Sequence, residues 1–234
     1  MKLLLLLWKL FCYPVGIAVI ALAIYEFWFF AQIMYWVEHN PTTTQFMDAR
    51  LEALRQKKPK AGLDQTWVAY ERISVHLKRA VIVAEDAKFV DHEGFDWEGI
   101  QRAMDKNQRV GKFVAGGSTI TQQLAKNLLL SGERSLLRKG QEAIFTAMLE
   151  ATMDKRRIFE IYLNVAEWGE NIFGAEAAAR YYFGVSAAEL EPDQAARLAA
   201  MLPRPRYYDR YRSSAYLAHY SESILAQMHT AQVP

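Results

Sequence analysis

The chain has 234 residues, 52% of them hydrophobic and 23% charged, with 12 Gly and 7 Pro, which excludes a disordered polyelectrolyte, a collagen-like fibre and a low-complexity linker. Lys and Arg total 28 against 26 Asp and Glu, a formal net charge of +2, so bulk charge gives no footing for nucleic acid as a partner. The one cysteine, Cys12, excludes an internal disulfide and leaves no CxxC or Cys/His cluster for structural zinc.

Sixteen uncharged residues run from Leu10 to Tyr25 and eleven more from Phe27 to Val37, interrupted only by Glu26. A bilayer core about 30 Å thick needs about 20 helical residues, so residues 1–37 are expected to be a single-pass membrane anchor. Glu26 belongs near the outer boundary, where its carboxylate reaches headgroup water, with Trp28, Tyr35 and Trp36 as the interfacial aromatic belt. Lys2 and Lys9 on the short side orient the N-terminus to the cytoplasm and the remaining chain outside it. The competing reading is a cleaved leader with Ala21-Leu22-Ala23 as its processing site. The apolar run continues past that site, which a discarded leader does not need, and this favours an anchor.

Residues 38–63 read as a linker with a juxtamembrane helix. Pro41 to Thr44 offer a start, Phe46, Leu51 and Leu54 recur at helical spacing, and Lys57, Lys58, Pro59, Lys60 and Gly62 end the element. The basic cluster suits an anionic lipid surface or a solvated turn equally. Residues 64–234 read as one globular domain. Its single expected strand is 66–73, and Ser74 caps a helix running to about Phe89. Further helices are expected at 97–107, 119–130, 135–152, 155–164, 174–182 and 193–202, the last stopping before Pro203 and Pro205. The fold class is all-α.

Four clusters could carry chemistry. In the first, Glu85-Asp86 to Asp96, a continuous helix would put Glu85, Phe89 and His92 on one face, with Asp86 turned about 100° away. A carboxylate beside an aromatic ring at a helix end is a general-base candidate, because partial desolvation raises its pKa towards neutrality. A solvated acidic turn is the bland alternative, and a metal held by His92 and Asp96 lacks a second histidine. The second is Gly116-Gly117-Ser118-Thr119-Ile120-Thr121-Gln122-Gln123-Leu124-Ala125-Lys126. Here Ser118 opens a helix whose free N–H groups favour an anion, and Ser118, Gln122 and Lys126 share a face suited to sugar hydroxyls and phosphate. An ordinary N-cap with a polar face is its alternative. In the third, Arg134, Arg138, Lys139 and Glu142 form either a phosphate clamp or a surface ion pair, with Arg138 and Glu142 spaced i, i+4. The fourth, Lys155 to Asn164 followed by Glu167-Trp168-Gly169 and Phe173 to Gly184, looks structural, with Asn164 tying a helix end to a loop.

In this order, ED-x-x-F-x-x-H-x-G, GGSTITQQ, RK-x-x-E and YLN-x-x-x-x-G closely resemble the peptidoglycan glycosyltransferase domain family. With one N-terminal anchor, the chain is similar to its monofunctional biosynthetic members. The resemblance implies a lysozyme-like helical domain with a small membrane-dipping lobe and a glycan-holding cleft. It makes Glu85 the base that deprotonates the acceptor 4-hydroxyl of lipid II, and Glu142 the second essential carboxylate. Lys126, Arg134, Arg138 and Lys139 become the cations around the pyrophosphates, while Phe89, His92, Ser118, Gln122, Gln123 and Asn164 shape the substrate cleft. It further implies magnesium or manganese near Glu142, no organic cofactor, and lipid II, the lipid-linked nascent glycan and the bilayer as partners beside other cell-wall synthesis or division proteins. The setting it implies is the bacterial inner membrane, with the catalytic domain outside the cytoplasm. No Ser-x-x-Lys follows the anchor, so no transpeptidase activity is expected. A lytic muramidase on a related scaffold and a membrane-anchored scaffold with a degenerate site are the rivals; the muramidase does not need Lys126, Arg134, Arg138 and Lys139 together, and Glu85→Gln separates the scaffold.

Overall fold

A computed structural model describes residues 2–112, 116–130 and 135–234. The chain divides into two compact units, Met1–Asn40 and Pro41–Pro234. The first is helix α1, Lys2–Glu38. Its 29 residues from Leu10 to Glu38 are long and apolar enough to cross a membrane, which fits a single-pass anchor.

The second unit is helical throughout apart from one small sheet. Its helices are α2 (Gln45–Arg55), α3 (Val75–Glu85), α4 (Trp97–Val110), α5 (Ile120–Leu129), α6 (Leu136–Thr152), α7 (Lys155–Val165), α8 (Ala175–Phe183), α9 (Pro192–Met201), α10 (Pro205–Arg210) and α11 (Ala215–Gln227). Short polar residues start most of them: the side chains of Thr44, Ser74, Asp96, Thr119, Ser135 and Asp154 each accept a backbone N–H of the first turn. Each such cap satisfies one of the donors a helix start leaves open. The segment expected as a linker is part of the domain: α2 packs on α5, and its Arg50 reaches Glu167 at 3.2 Å.

Helix α7 is the centre of the core. Ile158, Phe159, Ile161, Tyr162, Leu163 and Val165 are all buried, and α5, α6 and α8 surround it. On α9, Ala195, Ala196, Ala199 and Ala200 are buried; such small side chains let α3 and α11 pack closely on it.

The sheet runs β1 (Asp64–Gln65), β3 (Ile172–Phe173), β2 (Glu167–Gly169), with β1 parallel to β3 and β2 antiparallel to it. The strand expected at 66–73 does not form; Tyr70–Arg72 is a single 3-10 turn instead. Asn164 supplies the reason. Its Oδ1 accepts the Val68 N–H at 2.8 Å and its Nδ2 donates to the Val68 carbonyl at 3.0 Å, so one side chain takes both groups that a neighbouring strand would pair. Gly174 completes this corner: at φ +82° a Cβ there would lie 2.7 Å from the Asn164 carbonyl oxygen, so no side chain is tolerated.

Large apolar side chains stay exposed on α4 and at the start of α6. Trp97 is 71% exposed, Met104 66%, Leu136 92% and Leu137 89%.

Candidate active site

Helix α3 ends at Glu85, four residues sooner than expected. Asp86 follows with φ −162°, and its carboxylate is held by two long-range bonds: the Ile120 N–H donates to Oδ2 at 3.0 Å, and His92 Nε2 donates to Oδ1 at 2.9 Å. The N-terminus of α5, read from the sequence as a receptor for a substrate anion, thus holds the chain's own. The shared face of Glu85, Phe89 and His92 is also lost, since the helix that would create it stops. Phe89 turns into the core, 1% exposed, against Phe159 with ring centres 5.5 Å apart. His92 turns to Asp86.

Helix α5 presents a different face from the one expected. Thr119, not Ser118, is its N-cap, and Gln122 closes a capping box by accepting the Thr119 N–H at 3.1 Å. This leaves Gln122 buried within the cap. Ser118 stays exposed outside the helix. Gln123 and Lys126, three apart on α5, are the side chains that meet the carboxylates. Gln123 Nε2 donates to Glu85 Oε2 at 2.6 Å, and the Tyr162 hydroxyl donates to Gln123 Oε1 at 3.2 Å. The tyrosine thereby fixes which end of the amide faces Glu85. Tyr162 was not singled out in the sequence beyond its place on an apolar helix face.

Glu85 is half-buried, and its Oε1 is buried with no hydrogen-bond partner among the described residues. Burial pushes its carboxyl up to about 7, and Asp86 adds to the rise; Gln123 and the Lys126 ammonium act to lower it. A carboxyl with that value shuttles a proton at neutral pH. Glu85 lines a cavity of about 350 Å³ together with Lys88, Arg102, Gly117 and Ser118. Gly117 lets that loop run against α4, because a Cβ there would come within 2.9 Å of the Ile100 Cα.

Lys126 lies within electrostatic reach of both carboxylates. Desolvation lowers its pKa most, while Glu142 and Glu85 raise it and Arg138 and Lys139 lower it, so Lys126 feels all four charged groups at once. Glu142 is 4% exposed and accepts from Lys139 Nζ at 2.5 Å; its partner is thus the i, i+3 lysine rather than the expected Arg138. Arg138 Nε is buried and has no hydrogen-bond partner among the described residues. An orphaned acceptor on Glu85 and an orphaned donor on Arg138 are costly in a folded protein unless a ligand meets them. Arg134 lies outside the described residues. Asn164 is fully buried on Val68 and on the Glu160 carbonyl. With Phe89, His92 and Gln122 it stands behind the site rather than in it.

Among the described residues, the groups around Glu142 do not fit a divalent cation. Among the described residues no three His, Cys, Asp or Glu side chains gather to hold an ion, and the neighbours of Glu142 are ammonium and guanidinium groups, whereas magnesium takes oxygen ligands.

Fold and site together define a helical enzyme in which a near-neutral carboxyl faces a cationic cluster around a second, buried carboxylate. The family model described as transglycosylase matches residues 52–229. A biosynthetic peptidoglycan transglycosylase of Dechloromonas aromatica is 62% identical over 211 residues, covering 90% of this chain and 91% of that protein. Proteins of the same description from Methylobacillus flagellatus and a Janthinobacterium strain are each 58% identical over 226 residues, covering 97% of this chain and 99% and 98% of theirs. The chain belongs to the transglycosylase family and is a glycosyltransferase.

Gln123 acts on Glu85 through a bond that favours the ionised form. Gln123→Leu is therefore expected to move the acidic limb of the transfer rate to higher pH. A pH–rate profile unchanged in position would remove Gln123 from that role.

Proposed function

We propose that this protein polymerises lipid II into glycan strands by inverting transfer, with Glu85 as general base and without transpeptidase activity. Glu85 takes the proton of the acceptor's 4-hydroxyl as that oxygen attacks the anomeric carbon of the lipid-linked donor. A β-1,4 bond forms, the bond from the anomeric carbon to the pyrophosphate breaks, and undecaprenyl pyrophosphate leaves carrying the negative charge. Lys126, Arg138 and Lys139 receive that charge; fixed cations in a poorly hydrated site stabilise it far more than solvated ones. The observation that carries this reading is Glu85 itself: raised to about 7, lining a cavity, with one oxygen unpartnered among the described residues. Glu142 keeps the cations gathered, and no step is assigned to a metal.

The same reading puts the chain at the bacterial inner membrane with the domain outside the cytoplasm. Helix α1 supplies the anchor, and exposed Trp97, Met104, Leu136 and Leu137 supply a surface that suits the boundary of a bilayer. Substrates held in the same membrane then meet the site at raised local concentration. A muramidase would need the acid but not the cationic cluster. Purified protein is expected to convert lipid II into polymer and to leave finished sacculi intact. Cleavage of sacculi without polymerisation would reverse the assignment.

A further inference from the structure

The stretch from α10 into α11 carries five tyrosines, Tyr207, Tyr208, Tyr211, Tyr216 and Tyr220, and the reaction above uses none of them. They bound two adjoining hollows of about 280 and 620 Å³ that share Tyr207 and Ser214. Tyr207, Tyr211 and Tyr216 are 44%, 58% and 64% exposed. Tyr207 and Tyr211 have ring centres 4.8 Å apart, and Tyr216 and Tyr220 6.1 Å apart.

The groove is rigidly held. Arg212 donates to Asp209 Oδ1 at 2.7 Å and to the Tyr181 hydroxyl at 2.9 Å, and its guanidinium lies over the Tyr181 and Tyr182 rings at 4.9 and 4.8 Å. Its carbonyl accepts from Arg197, and Asp209 Oδ2 accepts the Glu170 N–H at 3.0 Å. At the other end the Tyr220 hydroxyl donates to the carbonyl of Ala84 at 3.2 Å. Ala84 precedes Glu85 and lines the same cavity, so the groove adjoins the catalytic carboxylate.

We propose that this groove binds a β-1,4-linked amino-sugar chain, stacking its rings on Tyr207, Tyr211 and Tyr216. A pyranose offers C–H faces to aromatic rings and hydroxyls to flanking polar groups, and Arg210, Ser213 and Ser214 stand beside these tyrosines. An acyl chain would instead strip water from the two serines and from the ion pair that Arg210 makes with Glu170 at 3.2 Å, without replacing the hydrogen bonds lost. The identity of the sugar rests on the function proposed above: the growing product is the chain held here, kept on the enzyme between additions. Preset aromatic surfaces with little side-chain freedom make such binding inexpensive in entropy.

The test titrates the full-length protein in detergent with a β-1,4-linked N-acetylglucosamine hexamer, read by calorimetry and saturation-transfer NMR. Both substituted positions are exposed, so the core is untouched. Tyr211→Ala combined with Tyr216→Ala is expected to weaken binding about tenfold, whereas Trp at both positions and Glu85→Gln retain it. The proposal is overturned if the double alanine variant binds as tightly as the parent, if the tryptophan variant loses binding equally, or if a parent chain that polymerises lipid II does not bind the hexamer. A parent chain that binds the hexamer through these tyrosines yet leaves lipid II unchanged upholds the groove and removes the polymerase reading instead.

Discussion

On the proposed mechanism, Glu85→Gln is expected to cut glycan polymerisation about 10²–10⁴-fold, the loss that removing a general base brings, while leaving the protein as stable or more so at pH 8. The two halves of this result have one cause. The folded state raises the Glu85 carboxyl to about 7 from an ordinary 4.5, so between those values the folded protein binds the proton that the unfolded chain has lost. Stability therefore falls as pH rises through that window, and above it the full cost of holding the ionised group is present. A glutamine of the same shape removes that cost and the chemistry together. The checks are lipid II turnover and thermal unfolding on the same preparation; retained turnover would sink the assignment. The parent enzyme should show an acidic limb in its rate with an apparent pKa near 7, because the base must be ionised to accept the proton.

Lys126→Ala is the second large effect, an expected loss of about 10²–10³-fold, the cost of removing one preorganised charge from a developing anion. Lys126 interacts with Glu85, Glu142, Arg138 and Lys139 at once, so its removal disturbs both ends of the reaction. The leaving pyrophosphate loses a partner, and the acidic limb moves up because Lys126 holds the Glu85 carboxyl down. A shift of the limb together with the lost rate separates this role from simple damage to folding, which would leave the limb in place. Glu26→Gln, a charge removed within helix α1, is expected to leave the rate unchanged. Equal losses in the two variants would count against the clamp.

The helices of the domain core were legible because their signals are local. The repeat Ile158, Ile161, Tyr162, Val165 predicts α7 to within a residue of its observed end. What failed depended on distant partners. Nothing within residues 85–92 marks a helix end after Glu85; Asp86 is drawn out by Ile120, 34 positions away. Residues 66–73 have strand composition, yet Asn164, 96 positions on from Val68, satisfies the backbone that would have paired. The stop expected before Pro203 and Pro205 does occur, α9 ending at Met201; the helix that Pro205 then opens, α10, is the unexpected element, and at its first turn the missing N–H costs nothing. At the site, motif order pointed to Glu85, Lys126 and Glu142, but the side of α5 that serves them was misjudged: Gln122 was needed for the cap, which turns Gln123 to the acid. Tyr162 is legible only as a member of that apolar repeat, since its role at the site lies in a bond made across the core.

Helix α2 has a practical consequence for anyone preparing the domain without its anchor. A truncated chain starting at residue 64, the boundary expected from sequence, would discard α2 and bare the flank of α5, the helix bearing Gln123 and Lys126. The buried side chains of Met47 and Leu54, 2% and 8% exposed, would be lost with α2, and Glu167 would lose the guanidinium of Arg50. A water-soluble version that keeps its catalytic helix in register has to begin no later than Pro41.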